Sequence, residues 1–278
     1  MFSSLIAGLA VATPACSSND NSSNGGGAQP PELGYITVQS LPGATPSEPS
    51  SYYVSALFTG GADPTPECTV RTEGDCTILQ CGSAGADGGT FKYLSAGTLT
   101  VSGGLLPAPG VTLEPDADNN YLAAGNINPW HAGQQLTVKG GGGQIPIFEV
   151  SVSAPTTVTL TSPAMPDLGA KITISRTTPL EVHWSGEQTE KQIGITSQVL
   201  TPTGDTTAFV GCHFAASETS RTIPASILGV LPKGEVFIVA TTRNQATIPV
   251  GDKAVGLQAE AVARSASGGA ARGSATME

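Results

Sequence analysis

The residues whose chemistry could be put to use are few: three histidines, one acidic loop, one glycine run and two tryptophans. His131, His183 and His213 sit in separate segments, and no HExxH, GxSxG or SxxK arrangement occurs. The sequence marks of zinc-protease, α/β-hydrolase and β-lactamase-type chemistry are therefore missing. His183 alternates with Val182 and Trp184 and is expected to face solvent, and His213, between Cys212 and Phe214, follows the same logic. A hydrolase around His131 would need a site assembled from distant loops. In EPDADNNY, Glu114, Asp116, Asp118 and Asn120 crowd one loop, and hard cations take about six to eight oxygen ligands, so this is the candidate calcium site. The EF-hand glycine and distal glutamate are absent, and Asp and Asn also simply build turns. GGGGQIP (Gly140 to Pro146) lacks the lysine and helix of a phosphate loop and is expected to connect a hairpin. Trp130 and His131, in INPWHAG, are the candidate ligand contact, with Trp130 either a carbohydrate platform or a cover over the end of a sandwich.

Cysteines add a second kind of chemistry. In CTVRTEGDCTILQC, Gly74-Asp75 is a two-residue turn between runs rich in Thr and β-branched residues, which predicts a hairpin. Counting outward, Glu73 faces Cys76, Val70 faces Leu79 and Cys68 faces Cys81, the last at a non-hydrogen-bonded position where side chains come closest. A Cys68–Cys81 bridge would staple the hairpin and leave Cys76 to reach Cys212. A Cys76–Cys81 loop is the competing arrangement, and it requires that TILQ not be extended.

The elements that must position these groups are short strands. YITVQ, YYVSALF, TLTVSG, QLTVKG and FEVSVSA alternate apolar with polar residues and are bounded by Gly or Pro, the pattern of a sandwich or barrel. A new series starts after Ala154-Pro155 with TTVTLTSP and KITISR and continues through LEVHWSG, KQIGITSQVL, TAFVGCHF, EVFIVATTR and AVGLQAEAVAR. Helical periodicity is confined to PASILGVL (Pro224 to Leu231), with Pro at its start. The predicted fold is all-β: two tandem antiparallel β-sandwich domains, residues 33–154 and 155–264, followed by a small, polar, disordered tail at 265–278.

Composition agrees. The chain has 278 residues, with 35 glycines and 21 prolines, only 12% charged residues and a formal net charge of −10. No lysine or arginine cluster exists, which excludes binding to nucleic acid through phosphate contacts. No apolar stretch reaches the roughly 18 to 20 residues that span a bilayer as a helix.

Two stretches carry resemblances. LEVHWSG, with Leu180, Val182 and Trp184 on one face, resembles the Trp-bearing strand of immunoglobulin-like and fibronectin-type domains, which implies an immunoglobulin-like architecture for the second sandwich. At the other end, Phe2 to Ala12 has the length of a signal-peptide core, and Ala15-Cys16 resembles a bacterial lipobox. The lipoprotein resemblance implies residues 1–15 as signal peptide, Cys16 as the lipidated residue, and export to the outer membrane on its periplasmic or cell-surface side. Residues 16–32, including SSNDNSSNGGGAQPP, have the composition of a flexible tether. The expected role is non-catalytic, structural or adhesive, with no required cofactor. The expected partners are the membrane, through the lipid, and an envelope protein or glycan; a calcium- or carbohydrate-binding module is the alternative.

Overall fold

Strand β2 shows how the sequence chooses a face: along Ser51–Gly60 buried and half-buried residues alternate, with Tyr52, Val54, Ala56 and Phe58 inward. The computed structural model describes residues 32–60, 68–81, 92–165, 171–186, 190–201, 204–251 and 253–278. The leader, Cys16 and nearly all of the linker lie outside them. In chain order the elements are β1 (Glu32–Leu41), β2 (Ser51–Gly60), β3 (Cys68–Glu73), β4 (Cys76–Cys81), β5 (Lys92–Tyr93), β6 (Leu99–Gly103), β7 (Val111–Leu113), β8 (Tyr121–Gly125), β9 (Gln135–Gly140) and β10 (Phe148–Ser153). There follow β11 (Thr159–Ser162), β12 (Ile172–Ile174), β13 (Leu180–Ser185), β14 (Glu190–Thr201), β15 (Gly204–Phe214), β16 (Ser220–Ile223), α1 (Ala225–Leu228), β17 (Gly234–Val250), β18 (Lys253–Val262), β19 (Arg264–Ser265) and β20 (Arg272–Met277). Every alternating run named above falls in one of these strands, and the one short helix begins after Pro224.

The protein is all-β, and its sheets form two sandwiches. One twelve-stranded sheet runs β3-β4-β15-β14-β17-β18-β1-β2, with β20 and β12 continuing from β17 and β5 and β8 from β2. Two four-stranded sheets, β10-β9-β6-β7 and β16-β13-β11-β19, supply the opposing layers. The first packs Leu99, Val101, Leu136, Val138 and Val150 against Ile36, Val38, Val54 and Leu257; the second packs Leu160, Val182 and Trp184 against Ile193, Val210 and Ile238.

The strand that makes this one sheet rather than two is β17. At 17 residues it is about 55 Å long at roughly 3.3 Å per residue. Its first part, Gly234–Val239, pairs with β20, and the part from Thr241 to Val250 pairs with β18. On the opposite edge Phe237 to Arg243 pair with β14. Each half of β17 thus belongs to a different sandwich.

This arrangement corrects three expectations. The units are not consecutive: the core with residues 36–154 also takes Val250, Val255, Leu257, Ala259 and Ala261, while Cys76 and Ile78 belong to the other core. The tail after 264 is not disordered, because β20 pairs with β17 along Gly234–Val239 and with β12, and Ala271, Ala275 and Met277 are buried. Its small residues are what a crowded sheet interior accepts. Nor are all pairings antiparallel: β1–β18, β11–β19 and β12–β20 are parallel, since strands that meet from distant parts of the chain carry no hairpin constraint on direction.

Glycine also does more than turn the chain. Gly34 faces Phe58, Gly125 faces Tyr52 and Gly140 faces Phe148 in register, and a methyl group at any of the three would overlap the opposite ring. These glycines are seats on which aromatic rings lie across the neighbouring strand.

Candidate functional site

Apart from Cys16, which lies outside the described residues, each sequence-identified residue has a place in the fold. The β3–β4 hairpin has the expected register, with Glu73 opposite Cys76, Val70 opposite Leu79 and Cys68 opposite Cys81. Gly74 has φ of 58° while Asp75 stays at negative φ, the sign pattern of a type II′ turn. Cys76 and Cys212 form a disulfide across 136 residues. They are direct register partners on β4 and β15, with the His213 N–H donating to the Asp75 carbonyl one rung away, so the bridge occupies a non-hydrogen-bonded rung. Cys81 is also disulfide-bonded.

The acidic loop is built as a turn. Asp116 Oδ1 accepts the backbone N–H groups of Asp118 and Asn120 at 2.9 and 2.8 Å, and the Asn120 amide also donates to Asp116. These bonds, the Asn120 backbone first, hold the Asp116 carboxyl below its usual range. The Glu114 carboxylate turns to the Thr98 hydroxyl, so the four oxygen-bearing side chains Glu114, Asp116, Asp118 and Asn120 are not brought to one point. Among the described residues no three His, Cys, Asp or Glu side chains form a group able to hold a metal ion. Trp130 is 3% exposed and belongs to the first core, which removes it as a surface platform. His131 is exposed on a turn closed by Gln134, whose side-chain oxygen accepts the His131 N–H at 2.6 Å.

The polar groups that do converge lie at the waist, where β17 passes between the two cores. On the outer face one cross-strand row runs from Glu190 through Arg243 and Glu260 to Gln39 and Tyr53, each the register partner of the next. Arg243 Nε and Nη2 donate to Glu190 Oε1 at 3.0 and 2.9 Å, and His213 Nδ1 lies 3.4 Å from the same oxygen. Glu260 accepts Gln39 Nε2 at 2.6 Å and Gln258 Nε2 at 2.7 Å, while Tyr35 donates to Gln258.

The two carboxyls are pushed in opposite directions. The His213 imidazole, and then the Arg243 guanidinium, hold Glu190 below the usual carboxylate range against the effect of burial. Glu260 is raised, because loss of solvent outweighs its two amide donors and Arg243. Desolvation also raises Tyr53.

The inner face of the same waist is polar too. Thr242, fully buried, donates to the Thr156 carbonyl, and Asn244 donates to that of Ser153. Lys191, 4% exposed, donates to the Ala216 carbonyl and stands 5.7 Å from the centre of the Trp184 ring; burial lowers its pKa. Trp184 in turn stacks on Phe214 and donates to the Glu218 carbonyl. A polar belt thus surrounds β17 where the chain crosses from the first core, at Ala154, to the second, at Val158.

Chemically the belt cross-links strands. Both Glu260 oxygens and one Glu190 oxygen are already engaged by protein donors, which suits holding rather than turnover. Glu190, Arg243 and Glu260 carry no signal in the sequence: they lie far apart along the chain on β14, β17 and β18, and register alone unites them. His183 faces solvent as expected, 3.6 Å from Glu181, whereas His213 is drawn into the belt.

No protein-family model matches the chain, and no curated protein matches it. Among solved structures, the chicken CNTN1 FN1–FN3 domains align with 70% of this chain and 71% of theirs, at 13% identity and a TM-score of 0.18. Neither topology nor function passes from them to this chain.

Proposed function

We propose that this protein is a lipid-anchored, non-catalytic component of the cell envelope with a structural or adhesive role, tethered through Cys16 and the 16–32 linker to the outer membrane. One observation supports this above others: the tether-bearing end of the fold and the second sandwich lie at opposite poles. Glu32, where the described chain begins, pairs with Ala254 beside the β17–β18 turn. The other end of β18 runs into Ala263, in the second core. A chain held at Glu32 would hold the second sandwich outward, away from the membrane, with a continuous sheet behind it as a stiff stalk. The Cys76–Cys212 disulfide suits an oxidising compartment. An envelope protein or glycan is the partner such a display would serve.

Labelled palmitate tests the anchor. Wild type should incorporate it and Cys16→Ala should not; label retained in the variant overturns the anchor. The Cys16→Ala protein, released in soluble form, should sediment with isolated cell envelopes, and failure to do so overturns the adhesive role.

A further inference from the structure

From the strand directions we infer that β1 is a shear clamp, placed so that tension between the tether and the second sandwich loads its whole hydrogen-bond ladder at once. The inference rests on the proposed tethering for its source of load, and on register for its geometry. β1 is an interior strand. It pairs in parallel with β18 from Glu32↔Ala254 to Ser40↔Ala261, and antiparallel with β2 from Gly34↔Phe58 to Leu41↔Ser51.

Tension from the linker enters β1 at Glu32 and pulls it toward the tether pole. Tension from the second sandwich enters β18 at its opposite end, since Val262 leads into Ala263, whose N–H donates to the Ala240 carbonyl at 2.8 Å. Two parallel strands pulled from opposite ends slide along each other. No rung can open until the ladders on both edges yield together, whereas strands pulled apart from one end open rung by rung.

Side chains oppose the slide as well. Ile36 and Val38 are fully buried between the sheets, and their register partners Leu257 and Ala259 are fully buried beside them. A one-residue slip would turn this inward set to the outer face. β17 is the better-held strand, with β14 on one edge and β20 then β18 on the other. Yielding is therefore assigned to β1.

Two lysines offer the two pulling directions. Lys233 is exposed just before β17 at the far pole of the second sandwich, and Lys253 opens β18 beside Glu32. The full chain carrying Cys16→Ala is held by an N-terminal handle, and an azide-bearing lysine analogue at position 233 or 253 takes the second handle in a single-molecule pulling experiment. The first rupture force through 233 should be about twofold or more above that through 253 at the same loading rate, since forced unfolding reports the barrier along the pulled direction. Equal forces, or a lower force through 233, overturn the clamp. That outcome is separate from the palmitate result: equal forces leave the anchor standing, and failed lipidation leaves the measured forces unchanged.

Discussion

The two sandwiches are held together by different means. In the first, three aromatic rings lie on in-strand glycines, Tyr121 reaches the Ala96 N–H and the Gly97 carbonyl through its hydroxyl, and Phe58 meets Tyr121 edge-on and Phe148 at a tilt. In the second, a hairpin from the other half of the sequence is brought to β15 and fixed by Cys76–Cys212, with Asp75 paired to Arg221 and Glu73 accepting from Ser226. The first borrows β18 and the end of β17; the second borrows β3 and β4. The strands added to the first sandwich are held by ladder pairing and packing without a covalent link, whereas the hairpin added to the second is also cross-linked by a disulfide.

That contrast can be broken from either side. The largest effect is expected from replacing both Cys76 and Cys212 with Ala, which frees a loop of more than a hundred residues in the unfolded chain and should cost about 4 kcal/mol. Denaturant midpoints measure the loss, and amide exchange should quicken first in β3 and β4; a loss confined to β1 and β2 would reverse the assignment. Next, Gly34→Ala forces the Phe58 ring off its seat, with an overpacking cost of about 2 kcal/mol. A neutral result there would mean that the ring lies elsewhere. Thr242→Val leaves the Thr156 carbonyl without its buried donor and should cost about 1.5 kcal/mol. The same substitution should speed exchange on both sides of the waist if the belt joins the two halves.

The smallest effects are the two pH slopes. Glu190 is held below the usual range, so its stabilising contribution is present above the ordinary carboxylate pKa and is lost as pH falls through its own lower value. Glu260 is raised, so its penalty is present at neutral pH and disappears as pH falls through its raised value. Relative to wild type, Glu190→Gln should therefore gain in melting temperature on acidification and Glu260→Gln should lose. Parallel slopes would contradict the opposed environments of the two groups.

How much of this was legible in the sequence depends on the range of the pairing. The β3–β4 register could be counted from Gly74-Asp75, because a two-residue turn fixes every rung beyond it. The Cys76–Cys212 bridge was the remainder if Cys68 paired with Cys81, and a Cys76–Cys81 loop stood as its competitor until β4 proved extended. Alternation identified the strands and, for Val182 and Trp184, the buried face. It could not identify partners: β1 meets β18 across more than two hundred residues, and a period of two says which face a residue takes but not which strand lies beside it. For the same reason Ala154-Pro155 marked where the chain changes core, yet the hairpin and the β17–β18 pair cross that line in opposite directions. The run from Gly140 read as a hairpin connection, and Gly34 and Gly125 carried no signal of their own, because composition does not distinguish a turn from a seat for a ring. The tail read as disordered because small residues suit a solvated chain and a crowded sheet equally.

The central claim is that neither sandwich is complete without the other's stretch of sequence, and a fragment of residues 32–155 tests it most directly. It holds β1, β2 and the whole of the β10-β9-β6-β7 sheet but lacks Val250, Val255, Leu257, Ala259 and Ala261 of the first core. The account predicts an amide spectrum without dispersion and no cooperative unfolding for the fragment alone, with both recovered on adding a peptide of residues 241–262. A fragment that folds cooperatively by itself would show two tandem domains and contradict the shared sheet.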